Sequence, residues 1–144
     1  MKEREANAKS WSKHLKNTPN NKFIIKGRLS GLNEYTTANR IVKGNFYKGA
    51  SVKRENQDTV INAIREAKLS VIDKYPLTIK TTYYEPNNRR DIDNVSFAIK
   101  FILDSLVKTG IIPDDSKKYV NKRIDVVVVD RNNPRIEVEL INDE

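Results

Sequence analysis

The chain has 144 residues, a length that fits one domain with a hydrophobic core of ordinary size. Hydrophobic residues make up 38% and charged residues 32%, and the formal net charge is +8, a balance typical of a basic globular protein and not of a disordered one. With no cysteine and one histidine, the composition argues against disulfides, thiolate zinc sites, a cysteine nucleophile and a Ser-His-Asp triad.

The start of the chain lacks a sustained hydrophobic period. It predicts a basic, flexible N-terminal arm over residues 1–22, ahead of a domain over residues 23–144. The first residues also lack the apolar segment of an export signal, and no apolar run in the chain approaches the roughly 18 residues of a membrane span. We therefore expect a cytoplasmic protein with no membrane partner.

The first part of the domain predicts a strand, a loop, a helix and a second strand. Alternating apolar residues indicate a strand over residues 23–29, and the polar stretch 30–50 predicts an irregular loop with a short helical turn near residues 37–41. Apolar residues at helical spacings indicate a helix over residues 51–68. A β-rich alternation then predicts a strand over residues 77–85.

The second part predicts the strongest helix of the chain and two further strands. The helix spans residues 91–108 and carries an apolar stripe, and the strands span residues 120–130 and 135–141. This order predicts the α+β class, as a single domain with a mixed β-sheet of about four strands packed against two main helices.

The positive charge is concentrated in the first part of the chain. Residues 1–80 contain 17 Lys and Arg against 7 Asp and Glu, a net charge of +10, whereas residues 81–144 contain 10 against 12, a net charge of −2. Because basic side chains release condensed counterions when they bind phosphates, this excess indicates a polyanionic partner, with nucleic acid first. The alternative is a basic surface that serves only solubility.

Acidic residues lie at both ends of the predicted helix 91–108. Asp91 and Asp93 begin it, and Asp114 and Asp115 form the turn that follows. Because a helix of about 18 residues is about 27 Å long, the two pairs meet only if the chain turns back. Each pair also has an ordinary interpretation, as helix cap and dipole partner or as turn formers.

Asp93, Lys100 and Asp104 lie within about 40° of one another on one face of the predicted helix. Such a stripe is either a solvated face with an ion pair worth about 0.2–0.5 kcal/mol or part of a site. Clustered carboxylates bind hard cations such as Mg²⁺ or Mn²⁺, which activate water and polarise a phosphodiester, and a lysine adds positive charge to the transition state.

Residues 89–116 contain a dense series of motifs, namely Arg90-Asp91-Ile92-Asp93-Asn94, Lys100, Leu103-Asp104-Ser105-Leu106, Lys108-Thr109-Gly110-Ile111-Ile112 and Asp114-Asp115-Ser116. This series resembles the RusA family of phage and prophage Holliday junction resolvases, which carries an Asp-x-Asp-Asn motif, a helix with a lysine, and an Asp-Asp turn. A weaker match covers residues 25–40.

The resemblance implies catalytic aspartates at Asp91, Asp93 and Asp115, with Lys100 as the catalytic lysine. It also implies a metal site formed by the three aspartates, in which Asp114 replaces or assists Asp115. Lys100 follows the Asp-Asn pair about one helical turn later than the lysine of the best-known members. The resemblance further implies a homodimer that uses Mg²⁺, or Mn²⁺ as a substitute. Such a dimer would resolve four-way DNA junctions by paired symmetric nicks in recombination and repair.

Several basic residues are candidate phosphate contacts: Arg28, Arg40, Lys48, Arg89, Arg90, Lys117, Lys118, Lys122 and Arg123. Phe97 and Phe101 belong either to the dimer contact or to ordinary core packing. The alternative function is a non-catalytic DNA-binding accessory protein of recombination, and a hydrolase acting on flaps or single strands is a third interpretation.

Overall fold

Pairs of helices follow the first and second strands of the chain, which the computed structural model describes over residues 20–39 and 48–142. The elements are β1 (Lys22–Lys26), α1 (Leu32–Ala38), α2 (Lys48–Ala67), β2 (Leu77–Glu85), α3 (Ile92–Ser96), α4 (Ile99–Lys108), β3 (Val120–Val129) and β4 (Arg135–Asn142). The predicted α+β class and its mixed four-stranded sheet are confirmed. The two long helices α2 and α4 are the two main helices of the prediction.

The strands form one sheet in the order β1-β4-β2-β3. Strand β4 pairs antiparallel with both β1 and β2, whereas β2 and β3 are parallel. The last two strands follow one another in the sequence but are not neighbours, because β2 lies between them. This topology leaves β3 at one edge of the sheet and β1 at the other.

The helices cover one face of the sheet. Alternate side chains of β2 and β4, such as Tyr83 and Val138, are buried on that face and pack with Ile102 of α4 and Val60 of α2. The intervening residues of β2, such as Lys80, lie on the other face of the sheet, which the helices leave open. As the period-two pattern predicts, the apolar residues of β4 are buried and the intervening glutamates are more exposed.

Helix α1 lies inside the segment that the sequence predicts as a loop, and it begins earlier than the predicted helical turn. Its N-terminus is held by the α3 segment, because the Asn94 side-chain oxygen accepts a hydrogen bond from the Asn33 N–H at 3.0 Å. A Cβ at Gly31 would collide with Asn94, so the close approach requires glycine there. The helix therefore depends on tertiary contacts more than on its own propensity.

The predicted helix 91–108 is divided into α3 and α4. The Lys100 N–H bonds to the carbonyl of Phe97 at 3.1 Å, an i to i+3 bond that marks a tighter helical turn at the junction. The prediction that Asp93 shares one uninterrupted helix face with Lys100 and Asp104 is therefore wrong.

The first described residues are already part of the domain. The Asn20 N–H bonds to the Ser70 hydroxyl at 2.9 Å, and the Asn21 side chain donates to the carbonyl of Leu140 at 2.8 Å. Residues 20–22, which the sequence assigns to the arm, are thus anchored to the sheet and to the end of α2. The remainder of the predicted arm lies outside the described residues.

Candidate functional site

Asp91 and Asp93 lie at the start of α3, just beyond the C-terminal end of β2. Asp91 is the N-cap residue with an extended backbone, and its carbonyl accepts the Val95 N–H at 3.0 Å. Both aspartates are exposed to solvent. Their position at the helix N-terminus is electrostatically favourable, because unpaired N–H groups and the helix dipole stabilise negative charge there.

An ion-pair network fixes the chain immediately before these aspartates. Arg90 donates from Nε to Glu85 Oε1 at 2.8 Å and from Nη2 to Glu85 Oε2 at 2.9 Å. Its Nη1 donates to the Leu29 carbonyl at 3.2 Å and to Glu34 at 3.1 Å. Arg28 adds a 3.2 Å contact to the same Glu85 carboxylate. The network holds residue 90 against the strand end and so orients the start of α3.

The charge state of Glu85 follows from these contacts. The residue is only 3% exposed. Burial by itself would raise the pKa of its carboxyl, but the hydrogen bonds and charge of Arg90, together with Arg28, outweigh burial and hold the pKa below its ordinary value. Glu85 therefore remains an anion that the two arginines neutralise.

Asp114 and Asp115 lie in the exposed turn before β3. Asp115 lines a cavity of about 510 Å³ that α4 borders, together with Lys100, Asp104 and Arg123. The structure therefore brings the predicted lysine close to one of the three predicted aspartates. Asp91 and Asp93 do not line this cavity.

The parallel pairing of β2 and β3 explains the separation of the acidic residues. Asp91 follows the C-terminal end of β2, whereas Asp115 precedes the N-terminal end of β3. The eight steps between the nine residues of β2, at about 3.3 Å each, place the two ends of this strand about 26 Å apart. Helix α3 covers part of that distance, because the Ser96 carbonyl at its end accepts a hydrogen bond from Arg123 of β3 at 3.4 Å. Within residues 20–39 and 48–142 of a single chain, no three Asp, Glu or His residues are grouped closely enough to hold a metal ion.

The candidate phosphate contacts differ in exposure and in how far their charge is already paired within the protein. Arg89, Lys117, Lys118 and Lys122 are exposed. The Arg90 guanidinium has five N–H donors and already makes four hydrogen bonds within the protein. It therefore has little capacity left to bind a phosphate.

Arg28 and Arg123 are exposed but already paired with a carboxylate. Arg28 contacts Glu85, and its side chain is 37% exposed. Arg123 pairs with Asp125 at 2.8 Å and stays 48% exposed beside the cavity. Arg40 and the side chain of Lys48 lie outside the described residues.

The two phenylalanines belong to the protein interior. Phe101 is 2% exposed and Phe97 packs partly buried against the same core. Their rings are 5.8 Å apart in an edge-to-face arrangement, and Tyr35 contacts both. Of the two alternatives, core packing is the correct one for Phe101.

Sequence reasoning missed Glu85, Tyr35 and Lys53, which also lines the cavity. A signal for Glu85 was present, because it occupies an inward-facing position of an alternating strand, where a charge needs a partner. No signal distinguishes Lys53 from the other basic residues, and Tyr35 lay in a segment that predicts a loop.

No protein-family model matches the chain, and no curated protein matches it at a significant level. None of the described helices combines the length and apolar character that crossing a membrane requires. Fold and site together define an α+β domain with two exposed acidic pairs at opposite ends of neighbouring parallel strands.

Proposed function

We propose that the protein is a homodimeric, Mg²⁺-dependent endonuclease that resolves four-way DNA junctions by paired symmetric nicks. The motif resemblance over residues 89–116 supports this function. The observation that carries it is the placement of two exposed acidic pairs beside a sheet edge at which a second copy can join them. The single chain keeps Asp115 apart from Asp91 and Asp93, and a particular dimer removes that separation.

The edge in question is the outer side of β3. This strand has ten residues and pairs only with β2 among the described strands. Ile124 is 46% exposed and Val129 is 45% exposed, so this strand presents large apolar side chains to solvent. Because a long, apolar, unpaired edge promotes association with another strand, we assign it to pairing with a second copy of the chain.

Antiparallel pairing of the two β3 strands would place opposite charges beside each other in a defined register. A two-fold axis at Ile124 would place Arg123 of one protomer opposite Asp125 of the other, and the reverse pair forms on the far side of the axis. The two Ile124 side chains would lie side by side at the axis and cover each other. The unpaired backbone groups of the edge would gain hydrogen bonds.

The same pairing brings the acidic residues toward each other. In antiparallel strands the N-terminal end of one β3 lies beside the C-terminal end of the other. Val129 is aligned with Glu85 on β2, so that end also carries the start of α3. Asp115 of one protomer therefore approaches Asp91 and Asp93 of its partner, and the dimer has two such composite sites.

These residues fit a hard divalent cation, because they are exposed carboxylates without sulfur or imidazole donors. Asp91, Asp93 and Asp115 would hold Mg²⁺, assisted by Asp114, and the ion would supply Lewis-acid activation of water and of the scissile phosphate. Lys100, beside Asp115, contributes positive charge where the phosphorane oxygens gain negative charge.

The activity test uses a synthetic four-way junction labelled on each strand in turn. We expect symmetric nicks in two opposed strands with Mg²⁺, none with EDTA, and none in a linear duplex of the same sequence. Binding should weaken steeply with salt, with a log-log slope near −0.9 per phosphate contacted. Junction binding without cleavage in both Mg²⁺ and Mn²⁺ would instead establish the accessory protein, which the separation of the aspartates within one chain favours.

The edge pairing has its own test in the Ile124→Lys variant. A lysine on this strand opposes pairing, because two added charges would meet near the two-fold axis. We expect the variant to sediment as a monomer and to lose junction nicking. Ile24→Lys on the opposite edge strand β1, where Ile24 is 54% exposed, is the matched control and should remain dimeric and active. A monomeric wild-type protein, or a dimeric Ile124→Lys variant, contradicts the β3 pairing.

A further inference from the structure

The cavity beside Asp115 combines an aromatic wall with a charged rim. Tyr35 from α1 and Phe97 lie with ring centroids 5.3 Å apart, and Phe101 completes a three-ring cluster. Ile99 and Leu103 extend this apolar wall. The aromatic cluster is continuous with the core, so the wall is fixed before any ligand binds.

Charged side chains of both signs form the rest of the lining. Lys53, Lys100 and Arg123 supply three cations, and the Lys100 ammonium lies 5.6 Å from the Phe97 ring centroid. Asp104 Oδ2 accepts a hydrogen bond from the Gln57 amide at 3.1 Å and lies 3.9 Å from the Lys53 ammonium. The rim therefore offers donors for an anion and a positioned carboxylate acceptor.

We propose that this cavity binds one unstacked nucleotide of the DNA strand, next to the branch point of the junction. The base would lie against the aromatic wall, its phosphate would contact Lys100 and Lys53, and Asp104 would accept from an exocyclic amino group of the base. The location next to a branch point rests on the proposed function. The nucleotide site itself depends only on the lining of the cavity.

The size and lining favour this occupant over others. A volume of about 510 Å³ lies within the range of roughly 300–1,000 Å³ typical of small-ligand pockets and accommodates a nucleotide. A duplex cannot use the aromatic wall, because its bases are already stacked on each other. A branched junction contains nucleotides at the crossover that lose stacking at little cost, which makes one of them the natural occupant.

The test is photo-cross-linking of the full-length protein to DNA that carries 5-iododeoxyuridine. The modified base is placed at each position flanking the branch point of a four-way junction, and in a second arm it is placed in a linear single strand. EDTA prevents cleavage during irradiation. Mass spectrometry then identifies the DNA-linked peptide, and we expect the linked residue to be Tyr35 or Phe97.

Two variants and a control test whether the cross-link depends on the lining of the cavity. Tyr35→Leu keeps an apolar side chain but removes the ring, and Asp104→Ala removes the oxygen that accepts from the base, so each should lower the cross-link yield at least about fivefold. The Asp104 side chain is 37% exposed, so its substitution should be tolerated by the fold. The Asp104 variant therefore tests the proposal even if Tyr35→Leu fails to fold. Lys80→Gln, on the open face of the sheet, should leave the yield unchanged.

Each outcome decides the proposal. Cross-links at the cavity that fall in both variants support it, whereas cross-links only elsewhere, or none with either DNA, overturn it. Cavity cross-links from the single strand alone overturn the placement at the branch point and retain the nucleotide site. Nicking of the junction with Mg²⁺ is measured on the same preparation, so cavity cross-links without nicking would separate failure of the proposed nuclease from failure of this inference.

Discussion

Mixing the Asp93→Asn and Asp115→Asn variants, each inactive by itself, should restore junction nicking to about a quarter of the wild-type rate. In a mixed dimer with composite sites, one site receives both substitutions and the other receives none. About half of the dimers are mixed after random exchange, and one of their two sites is intact, which gives the expected fraction. Nicking of a labelled junction with Mg²⁺ measures the recovery.

The single variants set the baseline for this experiment. Each removes a proposed metal ligand, and we expect nicking to fall by at least about 10³-fold, the effect of losing about 4 kcal/mol of transition-state stabilisation. Junction binding should persist, because Asn removes a negative charge that repels the DNA. Asp58→Asn, an exposed position on α2, is the matched control and should retain full activity.

The mixture also has a result that contradicts the composite site. If each variant dimerises and exchanges subunits but the mixture stays inactive, every site takes its aspartates from one chain. The antiparallel β3 arrangement would then be wrong even if the protein cleaves junctions. Subunit exchange is checked by differently tagged protomers that co-purify.

Much of the fold could be predicted from local sequence patterns. The alternation in β4 identifies a strand with one buried face, and the apolar spacing in α4 identifies a helix, because both patterns report which side of an element is buried. The short helix α1 could not be predicted this way, since Asn94 and the aromatic cluster stabilise it from outside the segment. The break between α3 and α4 likewise depends on packing.

The candidate site shows the same limit. The Asp-x-Asp-Asn run and the Asp-Asp turn identify the candidate acidic residues. No local sequence pattern indicates whether these residues lie close together in the fold. Their separation follows from the parallel pairing of β2 with β3, a contact between strands that are distant in sequence. The register of such pairing depends on the whole sheet, so the sequence could not indicate whether one chain brings these aspartates together.

Replacing Glu85 by Gln should destabilise the protein by about 3–5 kcal/mol, although Glu85 takes no part in the proposed reaction. The substitution retains the shape of the side chain but leaves Arg90, which is 10% exposed, without its main counter-charge in a desolvated site. Chemical denaturation at neutral pH measures the change in the free energy of unfolding. Glu139→Gln, which removes an ion pair with the exposed Lys22, is the matched control and should cost less than about 1 kcal/mol.

The pH dependence of the same variant tests the cause. The pKa of Glu85 in the folded protein lies below its ordinary value of 4.5, so the folded state binds fewer protons at this group than the unfolded state. The stability that the group contributes is therefore complete above pH 4.5 and is lost as the pH falls through the folded-state pKa. The difference between wild type and Glu85→Gln should narrow in that acidic range. A difference that stays constant down to the acid transition would show that packing, and not the paired charge of Glu85, determines the effect.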